Sequence, residues 1–466
     1  MRLGPTRALT GPPAADGRRA QVDRHATFGA DTMRPSNELE QRLLDEIMRI
    51  AAIDVHSHVP PAAPFARTLR DLLGYHYFTE LAHSAGMSKD VIADETGDEE
   101  MLAGLVRAME ALDNTVQYSW MIELSRVLFG FRDERLTEKN WRLLDDAVRR
   151  KAKEPGRERD ILRLSSIEKV FLTNSFDEDL SGIDREIFVP SLRADTLVFR
   201  LHDPQVRAGL CRLTRTDLGD AGDLAAALQV LLEHFRSHGA ASLAISLPPQ
   251  FKVFPVVRAD LDTAVGKVAQ NKPLSGAEAE TLQSGVLFAL VDLCRQFGLP
   301  LQVMVGAVRD VYRHGVPQGT DLPQAGDTLL PLMPLVNAFP DVTFLLSTLS
   351  DSQAHELASY GWIVRNIVVS GHWWYDTIPA YIERDLAARL QSVPKTKLIG
   401  YYSDMYKLEF GLPKFNMYRR VLARVLARDY VEGGRGREKD ALRIARLLLR
   451  DNALRIFNVQ GASKEA

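Results

Sequence analysis

Cysteine is nearly absent: the 466-residue chain has two, Cys211 and Cys294, each among apolar or helix-forming neighbours. They make no CxxC pair, which argues against a disulfide scaffold or a thiolate zinc site and fits a reducing, cytoplasmic compartment. Both read as buried, inert thiols. A dominant charge is lacking too. With 58 Lys and Arg against 61 Asp and Glu, the formal net charge is −3, so there is no electrostatic case for nucleic acid or an anionic membrane as partner. No apolar run approaches the length of a bilayer span. Residues 1–33, rich in Arg, Pro, Gly and Ala, lack the apolar segment of a secretory signal. Residues 1–35 read as a disordered tail, with Met33 an alternative start of translation. The remaining composition, 45% hydrophobic and 26% charged, is that of a soluble globular protein.

The chain is organised around Ile53-Asp54-Val55-His56-Ser57-His58, which Pro60 and Pro61 bring to an end. Alternate side chains of an extended segment share a face, so His56 and His58 point the same way. Two imidazoles so placed can reach one metal ion; the plainer alternative is a polar pair at a strand end. Upstream, residues 37–49 carry apolar residues at helical spacing, with Ser36 as the expected cap. From about 68 to 155, leucines at helical intervals predict a helical insertion.

A strand and helix alternation follows. Residues 167–173, 187–192, 240–247, 300–305, 342–349, 366–370 and 397–403 read as strands. Helices are predicted over 223–235, 378–390 and 416–430, and another opens at Ser275 with Glu278 as its capping-box partner. With the first strand the count is eight. Near-continuous apolar strands separated by helices imply a parallel sheet covered by helices. Eight units favour an α/β fold of (β/α)8 TIM-barrel type over residues 36–466, with the helical insertion after strand 1. Chemistry then belongs at the C-terminal strand ends, where His56 and His58 fall and where Asp404 follows the eighth strand. First and eighth strands are neighbours in a closed barrel, so the three would converge. Two imidazoles and one carboxylate leave positions open on a zinc-like ion. For Asp404 the alternative is a loop acid or a helix cap.

These motifs, in this order, resemble uronate (glucuronate) isomerases of the amidohydrolase superfamily, in a divergent member. The likeness runs from about Ile47 to Val459 and rests on several segments: His56-Ser57-His58, Tyr75-His76-Tyr77, Pro190 to Arg193, Gly306 to Arg309, Gly371-His372-Trp373-Trp374, Asp404, and Arg419-Arg420. Three departures stand out. Met304 occupies the place of the family's fifth-strand histidine, and a thioether is a poor ligand for a hard or borderline ion. The fourth strand, Ala241 to Leu247, has no acid or histidine and no lysine to bridge two metals. Ser403-Asp404-Met405-Tyr406-Lys407 lacks the family's arginine, leaving Lys407 as a substitute point charge.

The resemblance implies interconversion of an aldohexuronate and a ketohexuronate, with one divalent ion, zinc by its ligands, held by His56, His58 and Asp404. Asp404 is the expected base, and Tyr77 with His76 the expected proton donor or hydrogen-bonding groups. Arg193, Arg309 and Lys407 are candidates for gripping the sugar-acid carboxylate, and Trp373, Trp374 and His372 for walling the site. Simpler fates are a surface ion pair for each cation and core packing for Tyr77 and one tryptophan. Two other functions fit the same ligands: a mononuclear metal-dependent hydrolase acting on an amide, ester or lactone, and a barrel without catalysis used for binding. A homo-oligomer is compatible with this reading.

Overall fold

The computed structural model describes residues 35–93, 95–324 and 329–461, so the expected tail lies almost wholly outside the described residues. Its parallel strands are β1 (Ala52–Asp54), β2 (Ile167–Phe171), β3 (Phe188–Val189), β4 (Ser191–Arg193), β5 (Ser242–Leu247) and β6 (Leu301–Val305). A short antiparallel ribbon, β7 (Ala307–Val308) with β8 (Leu322–Pro323), interrupts the series before β9 (Phe344–Thr348), β10 (Ile367–Ser370) and β11 (Leu398–Ile399). One parallel sheet has the order β1-β2-β3 and the other β11-β10-β9-β6-β5-β4. Strands such as Leu301–Val305 and Phe344–Thr348 are buried at every residue, which is why they read as near-continuous apolar runs, interrupted only by Gln302, Ser347 and Thr348.

The expected third strand is broken where Pro190 stands: β3 pairs with β2, and β4 with β5. Proline has no N–H to give to a ladder. The two sheets remain joined past the break, because Asn174 N–H donates to Ser191 O at 2.8 Å and Arg193 N–H to Asn174 O at 2.9 Å. No ladder pairs β11 with β1 among the described residues. The segments that follow them do meet: Asp404 N–H donates to His56 O (3.1 Å) and His58 N–H to Met405 O (2.8 Å).

Between β1 and β2 the chain is helical, from Leu69–Leu73 through His76–Ser84, Asp98–Ala108, Val116–Phe129 and Trp141–Lys151 to Arg157–Ser165. The helical run thus extends ten residues past the expected limit at 155. The helix Gly276–Phe297 carries the expected capping box, Ser275 with Glu278. Its Val286, Leu287, Leu290 and Val291 are fully buried, at about 1.5–3 kcal/mol of stabilisation for each such side chain. At the first helix, Glu38–Ile47, the cap is Asn37, whose side chain accepts from Glu40 N–H. The expected cap Ser36 instead donates its hydroxyl to the Glu40 carboxylate. A helix over Arg258–Ala269, not among those expected from the sequence, follows β5.

Candidate active site

His56 and His58 leave the end of β1 with their rings edge to face, centroids 5.2 Å apart. Asp404 arrives from beyond β11 in the left-handed conformation, φ 53°. Its Oδ1 lies 3.2 Å from His58 Nε2 and 3.8 Å from His56 Nε2. The three therefore converge within reach of a single ion.

The donor set fits a cation. Thr173 has one hydroxyl proton, and its Oγ1 lies 2.9 Å from Ser57 O and 2.7 Å from His58 Nδ1. With that proton on the Ser57 carbonyl, His58 Nδ1 carries the hydrogen and donates to Thr173. The neutral ring then turns the lone pair of Nε2 toward a carboxylate, a contact that requires a cation or a second proton between them. His56 is buried, and neither of its ring nitrogens has a hydrogen-bond partner; nor does Asp404 Oδ1. Orphans of this kind cost free energy unless a ligand uses them. Burial pushes His56 down to about 3, so its lone pairs are free at neutral pH. Burial alone would raise Asp404, but the close approach of the two imidazoles, His58 foremost, holds its carboxyl below the usual carboxylate range.

The cluster opens into a solvent-accessible cavity of about 230 Å³. Of the residues expected from the sequence, His76, Arg193, Arg309, Trp373 and Trp374 line it together with His56, His58 and Asp404. Burial pushes His76 down to about 3, so it is a neutral imidazole. Tyr77 stands behind the cluster and donates its hydroxyl to Asp404 Oδ2 at 3.3 Å. Both arginines already face an acid: Arg193 Nε is 3.5 Å from Asp195 Oδ2, and Arg309 pairs with Asp321 while donating to Ser246 Oγ at 3.3 Å. Met304 reaches the wall, bringing no ligand atom suited to zinc.

Two expected residues stand elsewhere. Lys407 donates to Ala63 O at 2.8 Å and does not line the cavity. His372 is fully buried behind the tryptophans, with Nδ1 3.0 Å from Asp376 Oδ2 and 3.5 Å from Asp385 Oδ2. Arg389 Nη2 lies 2.6 Å from the same Asp385 oxygen. These four form a buried charge network that supports the Trp373-Trp374 turn. Gly371, φ 26°, starts that turn, where any Cβ would run into the Tyr402 ring.

Sequence reasoning missed Thr173, Asp195, Ser246 and Tyr406, all of which line the cavity. Asp195 begins the helix Asp195–Arg200 and Tyr406 lies in the loop past Asp404, so strand alternation reaches neither of them. The Tyr406 ring stacks 4.9 Å from His58, and burial pushes its phenol up to about 12, which keeps it a neutral hydrogen-bond donor.

Fold and site together define a helix-covered parallel α/β protein with a His-His-Asp cluster of metal-ligand type at the strand ends. The glucuronate isomerase family model matches residues 26–457, and the chain belongs to that family. It is 22% identical over 451 residues to the uronate isomerase of Streptococcus agalactiae serotype III, covering 88% of this chain and 94% of the relative. The uronate isomerase of Sphingopyxis alaskensis is 23% identical over 405 residues, with coverages of 79% and 84%. Among solved structures, the glucuronate isomerase from Caulobacter crescentus superposes with a TM-score of 0.84 at 19% identity, over 94% of this chain and 98% of that one. The Thermotoga maritima uronate isomerase gives 0.83 at 19% identity, over 91% and 98%.

Proposed function

We propose that the protein is a uronate isomerase, interconverting an aldohexuronate and a ketohexuronate of the glucuronate–fructuronate type. The observation that carries this reading is one cavity in which His56, His58 and Asp404 face Arg193 and Arg309, in a chain of the glucuronate isomerase family. The histidines and Asp404 would hold one divalent ion, zinc by its donor set. Such an ion supplies Lewis-acid polarisation of the substrate's carbonyl and hydroxyl oxygens.

The chain's own groups do the rest. Arg193 and Arg309 bind the carboxylate, for which a guanidinium has the matching fork. Asp404 is the base: held ionised, it takes the proton from the carbon beside the carbonyl and returns it to the neighbouring carbon. Tyr77, through its bond to Oδ2, steadies that carboxylate. His76 and the Tyr406 hydroxyl hold sugar hydroxyls, and Trp373 and Trp374 exclude water from one wall.

Closure of the strands into a (β/α)8 barrel is part of the same reading, supported by the hydrogen bonds between the segments after β1 and β11. The uncrosslinked Cys211 and Cys294 support a reducing, cytoplasmic location. No helix among the described residues is long and apolar enough to cross a membrane. The test is incubation with single hexuronates in deuterated water, followed by NMR. Appearance of the ketose with deuterium at the carbon next to the carbonyl is expected. Turnover of a lactone or amide with no exchange in any uronate would defeat the proposal.

A further inference from the structure

Asp404 is the member of the cluster with a strained backbone, φ 53°, a conformation that is unfavourable for a non-glycine residue. Something must hold it there. Every backbone N–H and C=O from Ser403 to Met405 is hydrogen-bonded. Ser403 N–H donates to Asp54 Oδ1 at 2.9 Å, and its carbonyl accepts from Lys414 Nζ at 2.7 Å. Asp404 N–H donates to His56 O, and its carbonyl accepts from the Tyr75 hydroxyl at 2.9 Å. Met405 N–H donates to Ser403 Oγ at 3.2 Å, and its carbonyl accepts from His58 N–H.

Lys414 ties these bonds together. It sits on the helix Gly411–Val425, fully buried, and does not line the cavity. Its Nζ also donates to the Tyr75 hydroxyl at 2.9 Å, so it engages the Ser403 carbonyl directly and the Asp404 carbonyl through Tyr75. The ammonium group lies 4.5 Å from the Tyr77 ring centroid and 5.0 Å from that of Trp120, faces that favour a desolvated cation. Burying an amine this deeply is costly unless its hydrogens are used, and here two of them are directed at the peptides that frame one ligand.

We infer that Lys414 is a positioning residue: with Tyr75 it locks Asp404 in its left-handed conformation, so that the helix Gly411–Val425 and the helical insertion jointly set the affinity of the cluster for its cation. The inference rests on the reading that His56, His58 and Asp404 hold a divalent ion. Supporting contacts of this kind alter metal affinity by about 10- to 100-fold.

The experiment is titration of the metal-stripped full chain with Co²⁺, followed by visible absorption. Wild type should bind one ion per chain. Lys414→Met should weaken binding about 10- to 100-fold and shift the cobalt bands, and Tyr75→Phe should weaken it in the same direction. The double variant should lose less affinity than the product of the two single losses, because the Lys414–Tyr75 contact is shared between them. Val286→Ala, which opens the fully buried core of another helix, should lower the unfolding midpoint and leave the affinity unchanged. If wild type takes no cobalt, the metal reading fails and takes this inference with it. If wild type binds and both single variants match it, or if Val286→Ala weakens binding equally, the inference alone is overturned. Should Lys414→Met not fold, Tyr75→Phe decides by the same criterion.

Discussion

The indole N–H of Trp374 donates to Glu80 Oε2 at 3.3 Å, joining the cavity wall to the helix that carries His76 and Tyr77. Trp374 has φ 47°, so this bond helps hold a conformation that a bulky residue rarely adopts. Glu80→Ala should release the indole and loosen the wall. The expected result is a several-fold rise in KM for the hexuronate with kcat changed less, read by steady-state kinetics. Glu80→Gln, which keeps an acceptor for the indole, should stay near wild type. Equal losses in both variants would mean that the charge of Glu80 matters and the hydrogen bond does not.

A second prediction concerns Thr173, whose hydroxyl stands between His58 Nδ1 and Ser57 O. Thr173→Val preserves shape and removes the oxygen that fixes the ring's orientation and tautomer. Metal affinity should fall about 10- to 100-fold, measured by competition with a chromophoric chelator. Thr173→Ser should retain most of it.

Substrate grip can be divided between the two guanidiniums. A hydrogen bond to a charged group is worth about 1.5–3 kcal/mol, so Arg193→Ala and Arg309→Ala should each lower kcat/KM by about 10- to 150-fold. The loss at Arg193 should be the greater, since its contact with Asp195 is long, 3.5 Å, whereas Arg309 is held closely by Asp321 and also donates to Ser246. Metal content should not change in either. Lys407→Ala should leave kcat/KM within about twofold, because its ammonium group is directed at Ala63 O. A large loss at Lys407 would show that the arrangement seen here is not the one that binds substrate.

The convergence of His56, His58 and Asp404 was legible because it depends on two simple regularities: alternation along an extended chain, and chemistry at the ends of parallel strands. The core strands were legible because burial on both faces leaves a near-continuous apolar run. The break at Pro190 was only half visible. Proline marks an interruption, but which sheet each half joins depends on partners far away in the chain. The Arg258–Ala269 helix escaped because only Ala264, Val265 and Val268 are buried along it, too sparse a stripe to stand out. Lys414 carried no signal at all, and Tyr75 entered only as part of Tyr75-His76-Tyr77, with no role of its own. They lie 339 residues apart, and nothing in local spacing marks a lysine that will be buried against aromatic rings. Lys407 and His372 stood beside the right motifs, yet side-chain direction in an irregular loop is set by contacts that no period describes.

The last prediction separates folding from function. Glu409 is fully buried, and its carboxylate oxygens accept from Ala66 N–H at 3.1 and 3.2 Å. Burial outweighs those bonds and raises its carboxyl from 4.5 to about 7. Between about pH 4.5 and 7 the folded state therefore keeps a proton that the unfolded chain has released. Stability falls as pH rises through that window and levels off above it, by about 3 kcal/mol for a shift of this size. Glu409→Gln keeps an acceptor for Ala66 and cannot ionise. Urea unfolding across pH 4.5 to 8 should show the variant close to wild type at the acid end and more stable than wild type by up to about 3 kcal/mol at the alkaline end. Asp54, which burial also raises to about 7, adds a slope common to both proteins, so the difference between the two curves is the quantity to read. Parallel curves would mean that Glu409 is ionised in the folded protein throughout.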